Sequence, residues 1–322
     1  MNIGILGTGN IARVMAETIN LAHGVKLYAI ASRNFRKAEN FKKEFNVSKA
    51  YGSYLELLED ENVELVYIAT PHSTHFNLIM LSIDHYKAVL CEKSFTTNSV
   101  LATKALLYAK EKNVFVSEAI WTRYMPSRRK IDEILASKVI GEPYLVEANL
   151  GYPIKDVPRI TDKNLAGGAL LDVGVYPINF ADMVYKEKPL KIEASCTYTN
   201  TGVDKTDFIT FTYEGDKKAV LHATIEGLTS RNGYIYGPLG YIKVVNINNP
   251  EEISVYISSL NQTKTYTITK EINGYEYELY EAVRMIKEGK IESESMPYSE
   301  TIKIMEYMDL IRKQFKIKYP FE

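Results

Sequence analysis

The chain has 322 residues, of which 46% are hydrophobic and 25% charged, and its formal net charge is −1. This composition is that of a globular protein, and the length suits two domains of about 150 residues each. The near-neutral balance, with no block of like charges, excludes nucleic acid as a default partner.

No segment of the sequence is suited to a membrane or to secretion. It contains no run of about 18 apolar residues, and it begins on the apolar stretch NIGIL (2–6), without a basic region or cleavage site. The only cysteines, Cys91 and Cys196, lie in apolar strand-like runs and are interpreted as buried free thiols. We therefore expect a cytoplasmic protein with no membrane contact. No spacing of Cys, His and carboxylate residues predicts a metal.

Short apolar runs alternate with helical patterns over the first 120 residues. Apolar residues at helical spacing follow the first strand, which predicts a helix there. Strands that are separated by helices pair in parallel, so the pattern predicts a doubly wound Rossmann sheet in an N-terminal domain of residues 1–122. The strands are predicted at 2–6, 25–31, near 50, 64–70, 87–93 and 114–119, and the later helices at 34–45, about 74–85 and about 97–112.

The segment GTGNIA (7–12) lies between the first strand and the first helix. In a dinucleotide-binding fold, Gly7 permits the tight turn and Gly9 lets a pyrophosphate approach the backbone. Ala12 takes the place of a third glycine, where the helix packs on the strand, and the helix N-terminus faces the phosphates. The sequence predicts cofactor contacts at Gly7, Thr8, Gly9, Asn10 and Ile11.

The end of the second predicted strand reads ASRN (31–34). A site for NAD usually carries an acid here, which binds the ribose hydroxyls. This sequence has Ser32 and Arg33 instead, with Lys37 close behind. A hydroxyl and a guanidinium fit a 2′-phosphate, so NADP is the expected cofactor and NAD the alternative. Stacking of Arg33 on the adenine, or a solvated Arg33, would also explain the residue.

The pattern changes in the second half of the chain. Segments such as IEASCTYT (192–199) alternate apolar and polar residues, which predicts antiparallel strands with one apolar face. Helices are predicted at 126–138, about 274–288 and 298–317, within a second domain of residues 123–322. The polar, tyrosine-rich face and the strand edges of this sheet need cover, so we expect a homodimer that forms through it.

The stretch GGALLDVGVYPINFADMV (167–184) places an acid and a phenol inside an apolar run. A helix that begins near Ala169 or Leu170 would turn Asp172 and Tyr176, four residues apart, to the same side. Both side chains would then point into whatever lies beyond the first turns of the helix, which is compatible with a site. The alternative is an aspartate favoured by the helix dipole and a core tyrosine with a bonded hydroxyl.

Five motifs, in order, resemble those of the Gfo/Idh/MocA oxidoreductase family. They are GTGNIA, TPHSTH (70–75), EKS (92–94), SEAIWTRYMP (117–126) and GGALLDVGVYPI (167–178). The last two are most similar to the dihydrodiol dehydrogenase and glucose–fructose oxidoreductase-like branch. The resemblance implies an α/β fold: an N-terminal Rossmann domain followed by an α+β domain with an open, mostly antiparallel sheet. It also implies hydride transfer between nicotinamide C4 and a carbinol or carbonyl carbon of a sugar, polyol, dicarbonyl or cyclic diol.

The resemblance also implies roles for individual residues. Lys93 would be the active-site lysine and Tyr176 the acid and base, while Asp172 would orient substrate hydroxyls or Lys93. A free tyrosine has a pKa of about 10, and the ammonium of Lys93 would lower that pKa. Glu92 would contact the nicotinamide ribose. Further contacts in the cofactor pocket are implied for Thr70, Pro71, His72, His75, Trp121 and Arg123.

Ser94 departs from the family pattern, because it stands where relatives usually have proline after Glu92-Lys93. In relatives a cis bond often precedes that proline. A cis bond before serine costs about 3–4 kcal/mol. The sequence therefore predicts a trans Lys93–Ser94 peptide.

Two other functions are known for the same fold. One is a cofactor-bound sensor or regulator, and the other is an NAD-dependent glycosidase. Retention of Lys93, Asp172 and Tyr176 favours an enzyme that acts on a small molecule.

Overall fold

The computed structural model describes all residues, Met1–Glu322. Two compact units divide the chain: Met1–Tyr124 with Lys270–Met305, and Met125–Thr269 with Glu306–Glu322. The predicted division after residue 122 therefore differs in its C-terminal part. Residues 270–305 return to the first unit because Leu279, Ala282 and Met285 pack into its hydrophobic core. No helix is long and apolar enough to cross a membrane.

The first unit contains a parallel six-stranded sheet with the order β3-β2-β1-β4-β5-β6. Its strands are β1 (Asn2–Leu6), β2 (Lys26–Ala31), β3 (Lys49–Tyr51), β4 (Leu65–Ile68), β5 (Ala88–Glu92) and β6 (Val116–Ala119). Its helices are α1 (Asn10–Leu21), α2 (Phe35–Phe45), α3 (Tyr54–Glu59), α4 (His72–Asp84), α5 (Ser99–Lys112) and α9 (Glu276–Lys287). The central strands are buried on both faces, which is why they read as continuous apolar runs. The predicted Rossmann sheet is confirmed.

The second unit contains an eight-stranded sheet with the order β14-β13-β12-β11-β7-β10-β9-β8. Every pair of neighbours is antiparallel except β7 and β10, so the prediction of a mostly antiparallel sheet is confirmed. Its strands are β7 (Leu145–Gly151), β8 (Lys191–Tyr198), β9 (Asp204–Thr212), β10 (Lys218–Thr224), β11 (Gly233–Gly237), β12 (Gly240–Val245), β13 (Glu252–Ile257) and β14 (Gln262–Thr267). Its helices are α6 (Pro126–Ala136), α7 (Pro158–Thr161) and α8 (Val175–Tyr185), while α10 (Tyr298–Gln314) begins in the first unit and ends in the second.

The two faces of the second sheet differ in burial. On one face Ile209, Phe211 and Leu221 are almost completely buried, and α8 packs on that side of the sheet against β7 and β10. On the other face Phe208 is 52% exposed and Val220 46% exposed. The second sheet therefore has one buried face and one open face that carries exposed apolar side chains.

Candidate functional site

The carboxyl ends of five parallel strands line one edge of the first sheet. Because the strand order is β2-β1-β4-β5-β6, the residues that follow these strands stand in the same order along the edge. They are Ser32, Gly7, Thr70, Lys93 and Trp121. In open α/β sheets ligands bind at this edge, next to the point where the strand order reverses. Residues predicted from five separate segments are therefore brought to one edge.

The glycine loop between β1 and α1 has the geometry that a bound pyrophosphate requires. Gly7 has φ of +109°, and a Cβ there would overlap the carbonyl oxygen of Ala69. A Cβ on Gly9 would have no atom within 4 Å, so the backbone is open to an approaching group. No side chain caps the N-terminus of α1 at Gly9, and its backbone N–H groups suit an anion. The loop fits the phosphates of a dinucleotide.

The end of β2 carries a cation and no carboxylate. Ser32 is buried and its Oγ accepts the N–H of Asn34 at 3.3 Å, while Asn34 caps α2 through the N–H of Lys37. Arg33 is exposed and lies beside the hydroxyl of Tyr54, where it partly offsets the effect of burial, which raises the pKa of that phenol. This edge of the site therefore presents a guanidinium that α3 helps to hold.

His75 joins the ends of β4 and β5. Its ring is completely buried, with Nε2 at 2.8 Å from the carbonyl oxygen of Thr70 and Nδ1 at 2.9 Å from that of Ser94. Burial lowers the pKa of His75, which favours the neutral ring. These contacts fix two turns of the site edge. It stays a prediction that a cofactor contacts His75, the buried His72 or its neighbour Pro71.

The turn after β5 differs from the sequence prediction. The Lys93–Ser94 peptide is cis, so the predicted trans bond is wrong. The prediction weighed only the local preference of the peptide, whereas the surrounding contacts fix this turn. The Ser94 carbonyl oxygen faces His75, and the next N–H, of Phe95, donates to Oε1 of Glu118 at 3.1 Å. Lys93 itself is half-buried at the end of the strand.

The carboxylate of Glu92 accepts a hydrogen bond from a buried tyrosine hydroxyl. The hydroxyl of Tyr67 on β4 donates to Oε1 of Glu92, and Oε2 accepts the N–H of Lys93 at 3.2 Å. The α9 residue Glu278 is fully buried and no donor lies within hydrogen-bond distance of either of its oxygens. Burial and the neighbouring carboxyl of Glu92 raise the pKa of Glu278 well above its usual range. The burial and the raised pKa of Glu278 favour its protonated form, and Glu92 lies in a buried acidic cluster.

Trp121 and Arg123, the two site residues predicted just after β6, each contact a side chain of the first unit. Trp121 is buried and stacks on Tyr275, with ring centroids 4.0 Å apart and planes 11° apart. The guanidinium of Arg123 is buried and pairs with Glu300, Nη1 to Oε2, at 2.9 Å. These contacts give both residues a structural partner. Their contact with a cofactor or substrate stays a prediction.

Glu118 should make the stability of the protein depend on pH. Burial raises the pKa of its carboxyl to about 7, although the N–H of Phe95 and the guanidinium of Arg123 oppose this. Because the folded-state pKa is raised, the folded state binds the proton more tightly. The contribution to stability is thus full at low pH and is lost as pH rises from about 4.5 to about 7. We expect Glu118→Gln to gain up to ~3 kcal/mol relative to the wild type between pH 5 and pH 8.

Unfolding in urea at pH 5, 6.5 and 8 measures this difference directly. Glu111→Gln, at an exposed position of α5, is the matched control and should show no change with pH. A difference between wild type and Glu118→Gln that is the same at all three pH values would contradict the expectation.

In the second unit, Asp172 and Tyr176 lie on one continuous helical segment. It begins at Leu170, as predicted, but residues Leu170–Gly174 form a π-helical turn before α8. Pro177 gives a physical reason: in an α-helix its ring would collide with the carbonyl four residues earlier, and a wider turn avoids this. π-Helical turns occur frequently at functional sites.

Both side chains are almost completely buried, Asp172 to 5% exposure and Tyr176 to 8%. The carboxylate of Asp172 accepts from Nη1 of Arg159 at 2.9 Å, and Arg159 itself is half-exposed at the start of α7. A buried carboxylate needs such a partner. The ion pair gives Asp172 a protein partner that the sequence did not predict. A contact of Asp172 with a substrate stays a prediction.

Sequence reasoning missed several functional candidates. These are Glu118, Arg159, Tyr275 and Glu278. A signal existed for Glu118, because it is an acid inside an apolar strand-like run, the same signal that identified Asp172. No comparable signal marked Arg159 or Glu278, whose positions depend on contacts between distant parts of the chain.

Two family models and several full-length relatives match this chain. Residues 1–120 match the family model described as an oxidoreductase family with an NAD-binding Rossmann fold, and residues 128–243 match the GFO/IDH/MocA C-terminal domain. The chain is 32% identical over 326 residues to trans-1,2-dihydrobenzene-1,2-diol dehydrogenase of Xenopus laevis, across 98% of each chain. The protein of that name from Homo sapiens is 31% identical over 302 residues, across 92% of this chain and 90% of that protein.

A solved structure shares the whole fold. It is a 3-ketoreductase from Actinomadura kijaniata in complex with NADP and TDP-benzene, with a TM-score of 0.89 and 22% identity, across 98% of this chain and 97% of that one. The glycine loop fits a dinucleotide, and the full-length matches are to dehydrogenases. The protein is therefore an enzyme that uses a nicotinamide dinucleotide and acts on a small molecule. The chain belongs to the Gfo/Idh/MocA family of NAD(P)-binding oxidoreductases.

Proposed function

We propose that the protein is an NADP-dependent dehydrogenase that acts on the CH–OH group of a diol, sugar or polyol and on the corresponding carbonyl compound. The observation that carries the proposal is the edge of the first sheet, where the open glycine loop and Lys93 follow strands β1 and β5. The dehydrogenases that match the full chain are named for a trans-dihydrodiol, which supports a vicinal diol as the substrate class.

The proposal gives each part of the chain a task. When bound, the nicotinamide ring supplies the redox chemistry by accepting or donating a hydride at its C4. The N–H groups around Gly7 and Gly9 bind the pyrophosphate, and Glu92 accepts from the ribose. Tyr176 exchanges a proton with the oxygen of the substrate. Lys93 supplies positive charge for that exchange, and Asp172 orients substrate hydroxyls.

A panel of substrates tests the proposed function. Purified protein with NADP should oxidise at least one vicinal diol or sugar, and with NADPH should reduce a dicarbonyl or ketosugar, followed by absorbance at 340 nm. Tight NADPH binding without turnover on any panel member would favour a sensor. Cleavage of a glycoside without net change in NADPH would favour the glycosidase.

Arg33 should determine whether the protein binds NADPH more tightly than NADH. A guanidinium binds a phosphate with charge-assisted hydrogen bonds of about 1.5–3 kcal/mol, which corresponds to a roughly tenfold to hundredfold preference for NADP. We expect Arg33→Ala to weaken NADPH binding by about that factor and NADH binding little, in fluorescence titrations.

Arg36→Ala, at an exposed position of α2 three residues after Arg33, is the matched control. Equal losses for both cofactors in Arg33→Ala would show that Arg33 contacts the adenine instead of the phosphate.

The open face of the second sheet supports the proposal of a homodimer. Its tyrosines form a continuous aromatic cluster: Tyr236 and Tyr241 have ring centroids 6.0 Å apart, and Tyr241 and Tyr256 5.3 Å apart. Phe208 and Val220 extend this surface across β9 and β10. A second copy of the same face would cover it, since isologous pairing is the commonest way that soluble proteins assemble.

We expect the Phe208→Glu/Val220→Glu double variant to shift the protein from dimer to monomer, measured by light scattering at about 10 µM. Four buried carboxylates per dimer would oppose association through desolvation and repulsion. Val100→Glu, on the exposed face of α5, is the matched control and should leave the mass unchanged. A wild-type protein that is monomeric at this concentration would overturn the proposal.

A further inference from the structure

The two glycines before the helical segment 170–185 lie in close contact with other parts of the chain. Gly168 has φ of +128°, and a Cβ there would overlap Oδ1 of the buried Asp204. A Cβ on Gly167 would overlap the carbonyl oxygen of Ile160. A larger residue at position 168 would therefore separate the segment from β9, where Asp204 is the first residue.

Asp204 binds the beginning of that segment directly. Its Oδ2 accepts the N–H of Leu170 at 2.5 Å, and the N–H of Ala169 also stabilises the charge. The side chain is 1% exposed, and burial raises the pKa of Asp204 to about 6 in spite of these donors. A carboxylate here satisfies backbone donors that the start of a helix leaves open.

Asp207 lies beside it on the same strand and is completely buried. No protein donor lies within hydrogen-bond distance of either of its oxygens. Burial and the neighbouring Asp204 carboxylate raise the pKa of Asp207 well above its usual range. The two carboxyls are close enough for each to affect the pKa of the other. A hydrogen bond between two carboxyls requires that one of them keeps its proton, and the more strongly raised pKa of Asp207 favours Asp207 as the donor.

The groups that contribute most to the pKa values of the pair are backbone N–H groups and the two carboxyls themselves, and none of these is a cation. The other titratable side chains that interact with the pair are Tyr319, whose hydroxyl donates to the Gly167 carbonyl oxygen at 3.3 Å, Cys196, which pairs with Asp207 across β8 and β9, and Tyr198. Arg312 lies over the Tyr319 ring, with Cζ 4.7 Å from the ring centroid, and forms an ion pair with Glu322. Two adjacent buried carboxyls without a cation retain one proton between them.

We propose that Asp204 and Asp207 are positioning residues that share one proton and thereby hold the backbone of residues 169–176 in the conformation in which Tyr176 acts. This inference rests on the proposed role of Tyr176. The pair acts through the helical segment: Asp207 donates to Asp204, Asp204 accepts from the first N–H groups of the segment, and Tyr176 follows within two turns.

Two substitutions at position 207 distinguish an effect of the shared proton from an effect of side-chain packing. Asp207→Asn keeps a donor toward Asp204 in nearly the same volume, so kcat should stay within about threefold of wild type. Asp207→Leu removes the side-chain donor to Asp204 and keeps only its backbone donors, and kcat should fall at least about tenfold while the Kd of NADPH stays within twofold. Full activity of Asp207→Leu, or equal losses in both variants, would overturn the proposal. Asp216→Asn, at an exposed turn, is the matched control and should behave as wild type.

A double variant tests whether the pair acts through Tyr176. Adding Asp207→Leu to Tyr176→Phe should lower kcat by less than twofold beyond Tyr176→Phe alone, because the positioned group is already absent. Independent, multiplicative losses would show that the pair acts elsewhere.

A spectroscopic measurement detects the proton itself and does not need activity. In protein with ¹³C at the aspartate Cγ positions, one resonance should keep the chemical shift of a protonated carboxyl at pH 7.5, and Asp207→Asn should remove it. Aspartate resonances that are all ionised at pH 7.5 would overturn the proposal, even if Asp207→Leu fails to fold. If Tyr176→Phe retains full activity, the proposed role of Tyr176 fails, whereas the NMR result still decides whether the proton is shared.

Discussion

Tyr176→Phe is expected to lower kcat by about 10²-fold or more, the usual size of lost acid–base catalysis. The change removes one oxygen from a side chain that is 8% exposed within α8, so the packing of the ring is kept. Cofactor affinity should be unchanged, because the glycine loop and Arg33 belong to the other unit. Steady-state kinetics on the best substrate of the panel, with NADPH titrations on both proteins, measure the effect.

Tyr185→Phe is the matched control because it makes the same change on the same helix. Its hydroxyl donates to the carbonyl oxygen of Lys218 at 2.8 Å, a contact that serves packing alone. We expect kcat of this variant within twofold of wild type. A near-normal kcat for Tyr176→Phe would remove Tyr176 from the mechanism, and another group would have to exchange the proton.

The fold could be predicted from the sequence because its main signals are local. Buried parallel strands read as apolar runs, and the turn between β1 and α1 needs glycine at a position with φ of +109°. The antiparallel sheet of the second unit follows from alternation along each strand. The return of residues 270–305 to the first unit could not be predicted, since it depends on which buried surface the apolar face of α9 meets.

The candidate site was predicted in part. Residues at strand ends, such as Thr70 and Lys93, could be placed because a parallel sheet brings all carboxyl ends to one edge. The partners of those residues could not, because they lie far away in the chain. The contact of Phe95 with Glu118 and the ion pair of Asp172 with Arg159 both depend on tertiary packing. The cis peptide was mispredicted for the same reason, because the estimate used only the local preference.

The Gly167–Gly168 pair shows how the two kinds of information combine. The sequence presents the glycines as a turn before a helix. The structure shows that Gly168 also makes room for Asp204, which lies 36 positions later and binds the start of that helix, while Gly167 makes room for the carbonyl oxygen of Ile160. A glycine that local turn geometry requires is thus also required by a contact with a residue far away in the sequence.

Lys93→Met is expected to lower kcat by about 10²–10³-fold, the usual effect of removing one preorganised charged donor from an active site. Methionine keeps the length and apolar character of the stem but removes the ammonium, so the turn between Glu92 and Phe95 should persist. The N–H of Lys93, which donates to Glu92, is a backbone group and is unaffected. Turnover with saturating NADPH, and NADPH affinity as a separate measurement, give the effect.

The pH profile distinguishes two ways in which Lys93 could act. If its ammonium favours the phenolate of Tyr176, its removal raises the alkaline pKa in the profile of kcat/KM, because the ionised form loses its stabiliser. Lys93→Arg, which keeps the charge, should leave that limb near its wild-type position although kcat falls. Lys104→Met, on the exposed face of α5, is the matched control and should change neither quantity. Slow residual activity of Lys93→Met with an unchanged profile would mean that Lys93 only positions the substrate, and the electrostatic coupling to Tyr176 would be wrong.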